Sequence, residues 1–240
     1  MLLPLIAAGL IFLSGCAGNP AAEISAEKSV SLHPALPADA RWWRACFRMP
    51  RDEEGQPRWA MDLLLAEQVV APALRQHRGD IPLWRFHRRA GRDTTGHQFS
   101  LIFYSDAATA ASVFDTLEQA PALPALLAQN YLHAPVNHCG RQSSGRALSA
   151  TSDPAWDPRL QRSWPYFIMG VSAHWLSLIE EIGRAMPYDA TTAAEQLAYY
   201  ASIQEDIATL WREQGQHAYL HHLNALFGYE PLHIQQLMRF

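Results

Sequence analysis

The chain has 240 residues, 49% of them apolar and 18% charged, which is enough to bury a core and excludes a disordered tail or a collagen-like fibre. A net charge of −4 gives no global attraction to nucleic acid or anionic lipid, so nucleic acid is not an expected partner. Lys28 is the single lysine against eighteen arginines, a skew that fits a GC-rich coding sequence and also supplies planar forks suited to carboxylate or phosphate.

From Leu2 to Leu13 the chain is almost wholly apolar, too short for the roughly 18 residues of a bilayer span but suited to a signal-peptide core. It runs into Leu13-Ser14-Gly15-Cys16, which resembles the lipobox of bacterial lipoprotein precursors. The resemblance implies cleavage after residue 15, lipidation of Cys16 and stable membrane anchoring through several acyl chains. Ala17-Gly18-Asn19, with no Asp directly after the cysteine, implies by the same resemblance an outer-membrane protein facing the periplasm. The alternative is a buried terminal helix with an incidental cysteine. Residues 16–40, with Pro20, Pro34 and Pro37, read as a lipidated cysteine followed by a flexible tether. In an oxidising envelope Cys46 and Cys139 can pair, with two buried thiols as the alternative.

One α+β globular domain is expected over 41–240, with a sheet part at 41–150 and a helical part at 163–240. Arg41 to Met49 alternates Trp43, Ala45, Phe47 and Met49 with Trp42, Arg44, Cys46 and Arg48, the period of a half-buried strand. Trp59 to His77 has helical apolar spacing, with Pro72 a kink. Leu83 to Arg89 and His97 to Ser105 read as a hairpin joined by the turn-rich stretch 90–96. Asp106 offers an N-cap for a helix closed by Pro121 and Pro124. The order β-α-β-β-α matches a ferredoxin-like core, whose fourth strand is expected between Leu132 and Ala150. Thr151 to Arg162 reads as loop. Helical spacing returns at Ile168, Val171, Trp175, Leu178 and Ile182, and Thr192 with Glu195 forms a capping box ahead of a further helix. Gly228 reads as a helix-ending glycine.

If the aromatic face of the strands is the core, the other face collects Arg44, Arg48, Arg85, His87, Arg89, Gln98, Ser100 and Tyr104. Such a basic surface could hold a carboxylate, a phosphate or an acidic peptide segment. The alternative is that Glu205, Asp206 or Glu213 of the C-terminal helices neutralises these arginines. Glu213, His217 and His221 recur every four residues and could ligate zinc on a continuous helix; the order is not H-E-x-x-H, and Gly215 could break the helix. Surface or core packing is the other reading of these histidines. No nucleophile elbow, P-loop or Rossmann fingerprint is present in the sequence.

The order of segments is also similar to the C-terminal domain of lantibiotic dehydratases and thiopeptide-type bacteriocin biosynthesis proteins. Trp84-Arg85-Phe86-His87-Arg88-Arg89 resembles that family's W-F-F-I-R-Y strand, Asp93 and His97 its following Asp and His, and His222 with Asn224 its H-M-x-x-N-R stretch. The family eliminates glutamate from glutamylated Ser or Thr side chains with Arg and His, so the resemblance implies Arg88, His97 and His222 as site residues. It departs at Phe99, Leu101 and Ala225, where the family has arginines.

The leading expectation is an outer-membrane-anchored lipoprotein of binding or scaffold type, contacting another envelope protein or an anionic ligand and needing no cofactor. The rivals are an enzyme acting on an anionic or peptide substrate through Arg88, His97 and His222, and a zinc protein using Glu213, His217 and His221.

Overall fold

The computed structural model describes residues 36–92, 96–134 and 145–231. The proposed lipidation site Cys16, the motif residue Asp93 and the disulfide candidate Cys139 lie outside them. Among the described residues no helix is long and apolar enough to cross a membrane.

Three strands, β1 (Arg41–Met49), β2 (Leu83–Ala90) and β3 (His97–Ser105), form an antiparallel sheet in the order β1-β3-β2. Their two-residue period sorts the side chains as the sequence predicts. Phe47, Phe86, Phe99, Leu101 and Phe103 enter the main core, where Phe86 and Phe99 lie 5.2 Å apart and Phe103 meets Phe114 at 5.8 Å. Asp106 caps α3 (Ala107–Glu118) by accepting a 2.7 Å hydrogen bond from the Thr109 N–H, and α3 buries Val113, Phe114 and Leu117 in that core.

Around Pro72, where a kink is expected, the first helical segment changes its hydrogen-bonding pattern. It runs as α1 (Trp59–Leu64), a π-helical turn (Leu65–Val70) and α2 (Ala71–Gln76). Proline has no N–H to return to the preceding turn and its ring crowds that turn's carbonyl; the helix widens into a π turn before Pro72 and continues beyond it. Pro124, read as a helix closer, instead sits in the first turn of α4 (Leu123–Ala128), where a missing N–H costs nothing.

The expected fourth strand falls largely on 135–144, outside the described residues. On either side of that segment the free edge of β1 is hydrogen-bonded: His133 donates its N–H to the Arg48 carbonyl, and the Trp42 N–H donates to the Gly145 carbonyl. Leu148–Thr151 form a 3-10 turn. This stretch is fastened over the sheet's second face by Trp42 Nε1, which donates to Ala147 and Leu148 at 3.2 Å each, and by Tyr104, whose hydroxyl donates to the Arg146 carbonyl at 2.8 Å. A small second core of Ala40, Trp42, Leu83, Ile102 and Tyr104 results.

The region 151–162, expected as loop, already contains the start of α5 (Pro158–Ala185). Asp157 caps it by accepting from the Arg159 N–H, and Pro158 occupies the first position; an Asp-Pro start is a helix signal in its own right. At 28 residues α5 is about 42 Å long. It shields the β2 edge: Ser172 Oγ accepts the Phe86 N–H at 3.1 Å and donates to Ile168 O. Trp175 packs on Phe86 and Phe99 at 5.6 and 6.3 Å. Edge coverage of this kind removes a strand from the risk of adventitious pairing.

The capping box of Thr192 and Glu195 starts α6 (Ala193–Gly215), as expected. The α-helical pattern ends at Gly215 but the helical run continues, as a π-helical turn (Gln216–His221) that leads into α7 (His222–Leu226). Gly228 ends it at φ +68° with its N–H bonded to the Ala225 carbonyl, the left-handed conformation that glycine adopts without steric cost.

Candidate functional site

The second face of the sheet is built in rows across the three strands. In one row Arg44 and Arg85 flank Ile102; in the next Cys46 and His87 flank Ser100; in the third Arg48 and Arg89 flank Gln98. The central strand thus supplies a polar floor, with Ser100 fully buried and Gln98 nearly so. Cationic side chains stand on both sides of it, and with strand spacing near 4.8 Å the two flanking strands are roughly 10 Å apart. Gln98 Nε2 donates to Ser100 Oγ at 2.9 Å, and both approach Cys46 Sγ at 3.4 Å. Cys46 is disulfide-bonded.

The electrostatics of this face are unusual for a protein surface. Burial, then the charge of Arg44, pushes the Arg85 guanidinium down to about 10, and burial lowers Arg44 as well. Burial first, and then the charges of Arg85, Arg44 and Arg89, pushes the His87 imidazole below its ordinary value. The Nε atoms of Arg44, Arg48 and Arg85 and the Nδ1 atom of His87 are buried and make no hydrogen bond. Among the described residues no carboxylate pairs with Arg44, Arg48 or Arg85; Arg85 donates only to the Thr151 carbonyl, at 3.3 Å. Glu205, the helix carboxylate that could have neutralised them, pairs with Arg212 on its own helix instead. Crowded, desolvated cations of this kind repel one another, and a bound anion would reverse both penalties at once. Tyr104 is occupied otherwise, since its hydroxyl serves Arg146.

The strand period sends Arg88 to the opposite face, away from Arg85, His87 and Arg89. There it meets a residue that the sequence reading did not single out. Asp62 on α1 is fully buried and accepts from Arg88 Nε at 2.7 Å, while its other oxygen lies 3.0 Å from His97 Nε2. A carboxylate only accepts, so Nε2 of His97 carries the proton. Arg88 also donates to Gln204 on α6 at 3.1 Å and lies over the rings of Trp59 and Trp175 at 5.0 and 4.8 Å. Two of the three Arg/His candidates therefore converge on one carboxylate. A usable signal for Asp62 was present: a lone acid inside the apolar run Met61-Asp62-Leu63-Leu64 is either misplaced or paired.

His222 is not part of this cluster. It sits on α7 against His217 and His221, with ring centroids 5.4 and 5.3 Å away. His217 and His221 stack on each other at 5.2 Å, and the helix that carries Glu213 turns π-helical at Gln216, which changes the four-residue register on which the zinc reading rested. Among the described residues no group of three His, Cys, Asp or Glu side chains converges as metal ligands.

Comparison with family models, with curated proteins and with solved structures returns no match to this chain.

Proposed function

We propose that this chain is a lipid-anchored envelope protein, tethered through Cys16 to the periplasmic face of the outer membrane, whose α+β body holds an anionic group of another envelope component on its arginine-lined sheet face. The observation that carries the binding reading is the row of Arg44 and Arg85 beside His87. These cations are partly buried, mutually repelling and without a carboxylate partner among the described residues. A carboxylate or phosphate would take the guanidinium forks and relieve that repulsion. The sheet order and the two hydrogen bonds on the outer edge of β1 are compatible with a ferredoxin-like core completed by a fourth strand.

Titration of the whole protein with inorganic phosphate and with citrate, followed by calorimetry, tests the site. Saturable binding is expected, weakened at least tenfold by Arg44→Gln with Arg85→Gln, and strengthened as pH falls and His87 gains its proton. Binding that survives both substitutions would overturn the assignment. For the anchor, Cys16→Ser should move the protein from the membrane fraction to the soluble one.

A second reading, an enzyme for an anionic or peptide substrate, draws on the convergence of Arg88 and His97 at Asp62. On that reading His97→Ala would abolish turnover of a substrate while the arginine face remained dispensable.

A further inference from the structure

A cavity of about 420 Å³ lies between the π-helical turn at Leu65–Val70, the C-terminal end of α5 and the N-terminal half of α6. Its walls include Glu67, Tyr188, Tyr199 and Tyr200, none of which belongs to either cluster described above. We propose that this cavity binds an organic ammonium group, held between the Glu67 carboxylate and the rings of Tyr188 and Tyr199, with the fully buried Tyr200 bracing both.

The charge argument comes first. Glu180, which also lines the cavity, is paired with Arg75 at 3.3 Å, and Arg184 is paired with Glu181. Those charges cancel. Glu67 has no cationic partner among the described residues; its carboxylate accepts only from a neutral group, the Tyr200 hydroxyl, at 2.7 Å. The cavity thus presents one uncompensated negative charge.

The rings supply the rest. Tyr188 meets Tyr199 edge to face at 4.8 Å and 75°, and Tyr199 meets Tyr200 at 5.2 Å and 85°. Successive near-perpendicular rings form the corners of a box, and electron-rich ring faces attract an ammonium ion, most strongly where water is partly excluded. Burial, with the Glu67 charge behind it, raises all three phenols, so the rings stay neutral.

The box is also held in shape before anything enters it. Tyr200 is pinned by Glu67 and by the Gln68 amide, which donates to its hydroxyl at 2.8 Å. Tyr199 donates to the Gly183 carbonyl at 3.0 Å. Gly183 lies in the last turn of α5. A Cβ at that position would stand 2.8 Å from the Tyr199 hydroxyl, so the glycine is what allows the ring to approach. A wall fixed in advance loses little entropy on binding.

The test is calorimetric titration of the full chain with choline, with n-butylammonium and with 3,3-dimethylbutan-1-ol, the uncharged carbon analogue of choline. Saturable binding of at least one cation is expected, with the alcohol at least tenfold weaker. Choline binding tighter than n-butylammonium assigns the site to quaternary ammonium groups, and the reverse order assigns it to primary amines. Tyr188 is 48% exposed, so Tyr188→Ala should fold normally and weaken the cation about five- to tenfold; Glu67→Gln should weaken it at least tenfold. The proposal is overturned if neither cation saturates by about 10 mM, if the alcohol binds as well as the tighter of the two cations, or if Tyr188→Ala leaves that cation's affinity unchanged. Phosphate binding at the arginine face should be unaffected by either variant, which keeps the two sites separable.

Discussion

Replacing Asp62 by alanine should be among the most damaging single changes in the body of this protein. The carboxylate is fully buried and accepts from two partners, Arg88 Nε at 2.7 Å and His97 Nε2 at 3.0 Å. Hydrogen bonds to charged groups contribute about 1.5–3 kcal/mol each, and breaking a buried pair by deleting one partner costs about 3–5 kcal/mol. Arg88 retains 27% side-chain exposure and can turn its guanidinium towards water, whereas His97 has none. The lower part of the range, about 3–4 kcal/mol, is therefore expected. For a folded body of this size each kcal/mol moves Tm by about 2–4 °C, giving a fall of roughly 6–16 °C. Thermal and urea unfolding of Asp62→Ala, Arg88→Ala and the double variant would measure it. The double-mutant cycle should show a coupling of about 1–3 kcal/mol. A loss below about 1 kcal/mol in Asp62→Ala, or strict additivity in the cycle, would refute the view that this cluster ties α1 to β2 and β3.

Three further outcomes follow from the geometry. His87 has its folded pKa held below the ordinary 6.5 by burial and neighbouring arginines, so the unfolded chain binds the proton more readily; stability is full above pH 6.5 and declines as pH falls towards the folded value. His87→Gln should flatten that part of the pH–stability curve, and an unchanged curve would show that His87 is not desolvated. Asp106→Ala removes the cap that accepts the Thr109 N–H at 2.7 Å and should cost about 1 kcal/mol in urea unfolding, with Asp106→Asn nearly neutral; equal losses in the two would argue against capping. Ser172→Ala leaves the Phe86 N–H on the β2 edge without its acceptor and should cost about 1–3 kcal/mol. In hydrogen exchange the Phe86 amide should lose protection first, and unchanged protection there would count against the role given to Ser172.

The sequence made the local features readable and left the assembled sites to the fold. The two-residue period of 41–49, 83–89 and 97–105 separated an aromatic face from a cationic one, because strand geometry alone dictates which side chains share a side. The cap at Asp106, the capping box at Thr192 and Glu195 and the turn glycine at Gly228 were equally legible, since each depends on neighbours within a few residues. The start of α5 at Asp157-Pro158 was missed although its signal was there, because the surrounding Ser, Asp and Pro content reads as loop. The widening before Pro72 was not legible: whether a helix turns π-helical at a proline depends on what it packs against.

Which carboxylate meets which partner was decided by tertiary structure. Asp62 finds Arg88 and His97 across 26 and 35 residues, Arg88 finds Gln204 across 116, and Glu67 finds Tyr200 across 133. The sequence by itself determined that arginines would line one sheet face; only the fold decided that Arg88 would be neutralised while Arg44 and Arg85 would be crowded together without a carboxylate among the described residues. Periodicity is a property of a single segment, whereas convergence on a buried carboxylate or around a cavity requires several segments to be brought together, and burial then sets how strongly their charges act.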